Sequence, residues 1–244
     1  MILSREQIEQ IGNILIQDFE RQCPELSEPN EGAAPFAVHI EQFASKYLGL
    51  EVSMARLSPD GSICGLTAYA DTEYQISDGQ SICTIPLHQG QILLDISLTE
   101  KTKSGRRRFT LAHECAHQIL FALEDTVTKR AKQKNYSERA SYSLRELKTK
   151  EDWNEWQANA LAAAMLMPLD RLRSVRSELH QTEPVKCYGT RLSSDSVADV
   201  YDLCDAFDVS RAAMLIRLRQ LGAVDDRPLS EFYCLTHDPL EIWP

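Results

Sequence analysis

Five polar residues set in an otherwise apolar stretch, Phe109 to Leu123, are where this chain could do chemistry. Thr110, His113, Glu114, His117 and Gln118 fall at i, i+3, i+4, i+7 and i+8, a single stripe of an α-helix. A helix apolar on its other sides is expected to be buried. Its polar stripe must then face a cleft or bonding partners, because buried polar groups without them are costly. His113 and His117 lie one turn apart, with about 5–6 Å between their Cβ atoms. That spacing suits two Zn–N bonds of about 2.0–2.1 Å to one ion. Glu114, beside the first histidine, can reach a water at the metal rather than the metal itself. The pattern is HExxH, the motif of zinc hydrolases.

Two imidazoles do not make a catalytic zinc site; a third protein ligand is needed, with one position left open. The extended form HExxHxxGxxH is excluded, since Leu120 and Leu123 stand where it needs Gly and His. A Glu from a later helix is the other common solution, and Glu155 supplies one. Asn159 shares its helical face at i+4, the alanines that follow allow close helix packing, and Pro168 ends the run. Glu155 is the expected third ligand and Asn159 a group that orients a ligand. The alternatives are that Glu155 is an exposed helix-start carboxylate favoured by the dipole, or that His180 or His237 completes the set. For an oxyanion-stabilising donor the candidates are Tyr136, Tyr142 and His180.

The elements that must position these residues follow from periodicity. Ser4-Arg5-Glu6-Gln7 has the capping-box form and opens a helix carrying Ile8, Ile11, Leu15 and Phe19. Ile40, Phe43, Ala44, Tyr47 and Leu48 mark a second helix, stopped by Gly49. Between 50 and about 97, LEVSMARL, ICGLTAYA, SICTIPL and QILLDISL alternate with turn residues and predict a small, mainly antiparallel sheet. Helices are predicted at 106–124, 151–167, 168–178, 195–207 and 210–221. The fold class is therefore α+β: a small sheet packed on the HExxH helix, with a helical C-terminal segment. The division reads 1–30 N-terminal helix and linker, 36–178 catalytic domain, 190–224 helix-turn-helix-like segment and 225–244 packed tail. The polar run 126–150 is expected as a solvated loop or surface helix. Most of KTKSGRRR (101–108) is expected in the loop before the HExxH helix, because arginines oppose the dipole at a helix start. QILLDISL reads either as a sheet edge to which an extended substrate adds a strand or as a plain core strand.

Composition narrows the partners. The 244 residues carry a net charge of −10, the opposite of what phosphate neutralisation favours, so direct nucleic-acid binding is not expected. The helix-turn-helix-like stretch 195–221 has five Asp and three Arg, a net of −2. Val197, Val200, Tyr201, Cys204, Ala213, Leu215, Leu218 and Leu221 form packing stripes there, which predicts docking on the catalytic domain or on a partner. The longest apolar run, Ala160 to Met167, has eight residues, against the ~20 that span a membrane. The start, MILSREQ, reaches charge too early for a secretory signal. Seven scattered cysteines without a CxxC pair read as reduced thiols of a cytoplasmic protein.

Arg108-Phe109-Thr110-x-Ala112-His113-Glu114-x-x-His117 and Glu155-x-x-Ala158-Asn159-x-x-Ala162-Ala163-x-Leu166-Met167-Pro168 together resemble the ImmA/IrrE family of metallopeptidases. Phe207-Asp208-Val209-Ser210-x-x-Ala213 and Arg217-Leu218-x-x-Leu221-Gly222 extend the resemblance, which covers about 36–222. Cys115-Ala116 departs from the family, where a bulkier residue and Gly are common. The resemblance implies a zinc endopeptidase, or with another divalent metal, whose ligands are His113, His117 and Glu155 and whose general base is Glu114. It also implies a protein substrate, since many members cleave a cognate helix-turn-helix transcriptional repressor and so relieve repression after stress or in mobile elements. The competing expectations are a metal-binding sensor that does not cleave and a DNA-binding regulator using 195–221.

Overall fold

The computed structural model describes residues 2–26, 34–77, 80–124, 136–140, 149–189 and 191–236. Helix α1 spans Arg5–Gln22, and the capping box forms as expected: Ser4 Oγ accepts from the Gln7 N–H at 3.2 Å and Gln7 Oε1 from the Ser4 N–H at 2.8 Å. Ile8, Ile16 and Phe19 turn inward. The second predicted helix is short, one turn at Ile40–Gln42 running into a wider winding at Phe43–Tyr47.

Strands β1 (Glu51–Ala55), β2 (Ile63–Ala68), β5 (Gln91–Asp95) and β6 (Tyr136–Ala140) form one sheet in the order β1-β5-β2-β6. The β1–β5 pair is parallel and the other two are antiparallel. Strand β5 is thus interior, and the reading of QILLDISL as an edge is overturned. Its near-continuous apolar run fits a strand covered on both faces. Ile92 and Leu94 point into the main core with the helices. Leu93, Leu66 and Ala68 point to the other face, under the hairpin β3–β4 (Thr72–Ser77, Ile82–Leu87) with Leu57, Tyr74 and Leu87. The period-2 alternation of a strand separates the two clusters. Where 126–150 was expected to be loop or helix, residues 136–140 are strand β6. A polar stretch can serve there because pairing at the side of β2 asks only for backbone groups.

Helix α2, Ser104–Leu123, carries the HExxH residues and packs on β2, β5 and helix α3, Lys150–Leu166. The expectation that most of KTKSGRRR lies in the loop before the HExxH helix is corrected, although among these residues Arg108 alone is buried. Lys101–Lys103 is a single 3-10 turn, and Ser104 to Arg108 are helical. Arg108 is buried because backbone carbonyls receive it. Its Nη2 donates to Val38 O at 2.8 Å and its Nε to Asp208 O at 3.0 Å, which replaces the water a guanidinium gives up.

Helix α4 (Leu169–Glu178) follows the Pro168 stop. Strands β7 (Val185–Tyr188), β8 (Arg191–Leu192) and β9 (Val224–Arg227) make a second small sheet, β8-β7-β9, that periodicity missed because each strand is too short to alternate. Helices α5 (Ser194–Phe207) and α6 (Arg211–Gln220) are capped by Ser193 and Ser210, and α7 (Leu229–Thr236) follows β9. Val200, Leu203, Phe207, Ala213, Met214 and Leu218 join the main core, so the segment is docked as expected. Val197 and Tyr201 are the exceptions and face solvent. The turn between α5 and α6 presses on the start of α2, where a Cβ on Gly105 would lie 2.7 Å from Ser210 N.

One ion pair ties three helices together. Arg217 of α6, 1% exposed, donates through Nη1 and Nη2 to Glu9 of α1 at 2.6 and 2.5 Å, and through Nε to Met167 O at 2.9 Å. Glu9→Gln would leave that charge buried without its counter-ion. Because the Glu9 side chain is 24% exposed, the cost is expected at the low end for a broken buried pair, about 3 kcal/mol, read from the urea midpoint.

Candidate metal centre

His113 and His117 point from α2 toward α3 and are buried, with ring planes near perpendicular and centroids 4.6 Å apart. Their Nε2 atoms approach to 3.0 Å. Glu155, in the second turn of α3, closes the triangle: Oε2 is 3.2 Å from His113 Nε2 and Oε1 is 3.1 Å from His117 Nε2. The start of α3 is fixed by a second capping box, Thr149 Oγ1 accepting from the Asp152 N–H and Asp152 Oδ2 from the Thr149 N–H. That cap sets the register that brings Glu155 to the imidazoles.

The triangle suits a cation better than it suits hydrogen bonds. Each Nε2 has one in-plane proton or one lone pair. If both are protonated to serve the carboxylate, two N–H groups oppose each other at 3.0 Å. If one is not, it repels the carboxylate. An ion with tetrahedral ligands at about 2.0–2.1 Å separates them by about 3.3 Å, close to all three distances. The donor set, two imidazoles and a carboxylate, is the His₂Glu type. The Glu155 side chain is 41% exposed while the imidazoles are buried, so the cluster opens on one side only. Burial pushes the Glu155 carboxyl up, but hydrogen bonds to His113 and His117, with their charge, outweigh it and hold the group well below the usual carboxylate range. These three residues form the metal-competent group found among the described residues.

The family model described as IrrE N-terminal-like domain, Peptidase_M78, matches residues 88–219. The chain belongs to this IrrE N-terminal-like family. No curated protein matches it. The matched stretch runs from just before β5 to the end of α6, and so includes the HExxH helix and Glu155. The family and the cluster agree on a metallopeptidase-like role.

The other expected residues of this IrrE-like chain are distributed as follows. Glu114 is fully buried and faces β2, where its carboxylate and Thr110 adjoin Gly65. Asn159 does not reach the Glu155 carboxylate. Its Nδ2 donates to the Glu155 backbone carbonyl at 2.8 Å, bracing the helical turn, and its buried Oδ1 has no hydrogen-bond partner among the described residues. His180 lies exposed after α4, outside the ligand group. Tyr136 stands edge-on to Tyr74, 5.4 Å between centroids, in the hairpin-side cluster, so it faces away from the imidazoles. Tyr142 and His237 lie outside the described residues. Cys115 faces the core as its position about 200° from His113 predicts, and burial pushes its thiol well above the usual range.

Sequence reasoning missed Tyr69. It follows β2, is buried, and stacks on Phe121 one turn beyond His117 with centroids 4.5 Å apart. Burial, then the charge of Glu114, raises its phenol far above the ordinary value, with Glu155 adding to the effect. Its phenol therefore stays protonated, within electrostatic reach of Glu114 and Glu155. No local signal distinguishes it from the other tyrosines.

Proposed function

We propose that this chain is a zinc-dependent endopeptidase that hydrolyses a peptide bond in one specific protein, a helix-turn-helix transcriptional repressor, in the cytoplasm. The single observation that carries the reading is the convergence of His113, His117 and Glu155, with Glu114 adjacent to His113 on the neighbouring, β2-facing side of the same helix. Zinc, for which another divalent metal could stand, supplies Lewis acidity that polarises the scissile carbonyl and makes water nucleophilic near neutral pH. Glu114 accepts the proton of the attacking water and returns it to the leaving amine. Glu155, engaged as a ligand, is not free to act as a base, while Glu114, buried and not a ligand, is the group left to carry a proton.

Support for a protein rather than a nucleic-acid partner comes from the net charge of −10 and from the docking of α5 and α6 into the core. Among the described residues no helix is long and apolar enough to cross a membrane. The test incubates the zinc-loaded chain, and its Glu114→Gln variant, with candidate helix-turn-helix repressors, any encoded nearby first, and reads fragments by mass spectrometry. One discrete cut by the wild type and none by the variant is the expected result. Stoichiometric zinc with no cleavage of any such repressor would favour a metal-binding sensor instead.

A further inference from the structure

Arg106, Thr110, Glu114 and Gln118, four residues apart along α2, form one row facing β2. The two ends are tied to the strand. Arg106 Nη2 donates to Cys64 Sγ at 2.9 Å. Gln118 Nε2 donates to Thr67 Oγ1 at 2.7 Å and to Ala68 O at 2.8 Å. Between these ties, Thr110 and Glu114 meet Gly65. Strand alternation agrees, because Leu66 and Ala68 serve the hairpin side and positions 65 and 67 therefore face α2. A Cβ at position 65 would lie 2.7 Å from Glu114 Oε1, 2.7 Å from Thr110 Cγ2 and 3.1 Å from Glu114 Cγ. Gly65 is not among the glycines with positive φ, so its backbone could hold any residue. Space, not conformation, asks for glycine here, the close approach that a glycine inside a strand marks.

We infer that Gly65 is a positioning residue for Glu114: the bare Cα of β2 is the wall against which the carboxylate rests. Ties on both sides hold strand and helix together, so a methyl group at 65 moves the carboxylate before it moves either element. Gly65 lies outside the family match of 88–219. The inference rests on the reading of Glu114 as the proton acceptor. A reacting group displaced by about 1 Å can lose about 10²-fold in rate, so the wall matters to the chemistry and not only to packing.

The test uses Co²⁺-loaded full-length protein and acetohydroxamic acid, a chelator that gives up its hydroxyl proton on binding, next to the base that Glu114 provides. Binding is read from the visible cobalt absorption, with no turnover involved. Wild type, Thr110→Ser, Gly65→Ala, Gly65→Ala/Thr110→Ser and Glu114→Gln are compared. Thr110→Ser removes the methyl that a Cβ at 65 would strike and leaves the Glu114 side chain, its Oε1 and Cγ, in its way. Expected are unchanged cobalt spectra without the probe, wild-type affinity for Thr110→Ser, and affinity about tenfold or more weaker for both Gly65→Ala proteins and for Glu114→Gln. Wild-type affinity in Gly65→Ala/Thr110→Ser, or failure of that protein to fold and hold cobalt, overturns the inference, since the glycine would then serve packing alone. Wild-type affinity in Glu114→Gln overturns the reading of Glu114 itself, a failure visible apart from the behaviour of Gly65.

Discussion

Glu114→Gln is expected to reduce peptide cleavage by about 10²–10⁴-fold while leaving the zinc content of the chain unchanged. The magnitude is that of a lost general base. The selectivity follows from position. Glu114 has no measurable exposure and lies on the β2 side of α2, whereas the three metal-competent side chains converge on the α3 side. An amide of the same shape keeps the packing against Gly65 but cannot take up a proton. Zinc measured by elemental analysis beside initial rates of cleavage at the mapped bond checks both halves of the expectation. Equal rates for the two proteins would remove the hydrolytic mechanism, whatever the metal content.

How far this site is legible in the sequence depends on whether each contact is local. The HExxH stripe, the capping residues Ser4 and Gln7 and the stop at Pro168 are all set within one or two helical turns, and the structure keeps each of them. Glu155 was reachable because it shares a helical face with Asn159 at i+4, ahead of an alanine run that invites packing and a stop at Pro168. Sheet order was not. Whether QILLDISL is edge or interior depends on β1 pairing in parallel with β5 and on β6 arriving from a polar segment far along the chain. The same non-local register turns Tyr136 away from the imidazoles and stacks Tyr69 on Phe121, one turn beyond His117. Arg108 misled for a different reason: a run of basic residues looks solvated, and only the carbonyls of Val38 and Asp208, remote in sequence, make burial tolerable. Gly65 carried a hint, a lone glycine within ICGLTAYA, but nothing in the strand says which side chain fills the space a Cβ would take.

The third ligand is where the largest change in metal binding is expected. Glu155→Ala should weaken zinc binding by more than the about 10–100-fold that follows loss of a group merely supporting a ligand, and His117→Ala should abolish both metal and cleavage. Because the Glu155 side chain is partly exposed, its truncation leaves no core cavity, and the metal-free variant should melt close to the metal-free wild type. The difference should appear on adding zinc. At a free concentration of about 100 Kd a ligand stabilises its protein by about 2.7 kcal/mol, so wild type should gain several degrees in Tm and Glu155→Ala almost none. His180→Ala, remote from the cluster, should gain as wild type does. Asn159→Ala separates bracing from ligation: it cuts the bond to the Glu155 carbonyl but keeps every ligand, so it should lose far less affinity than Glu155→Ala. Were Glu155→Ala to bind one zinc as tightly as wild type, the carboxylate 3.1–3.2 Å from both imidazoles would be a neighbour and not a ligand, and the His₂Glu assignment would fail.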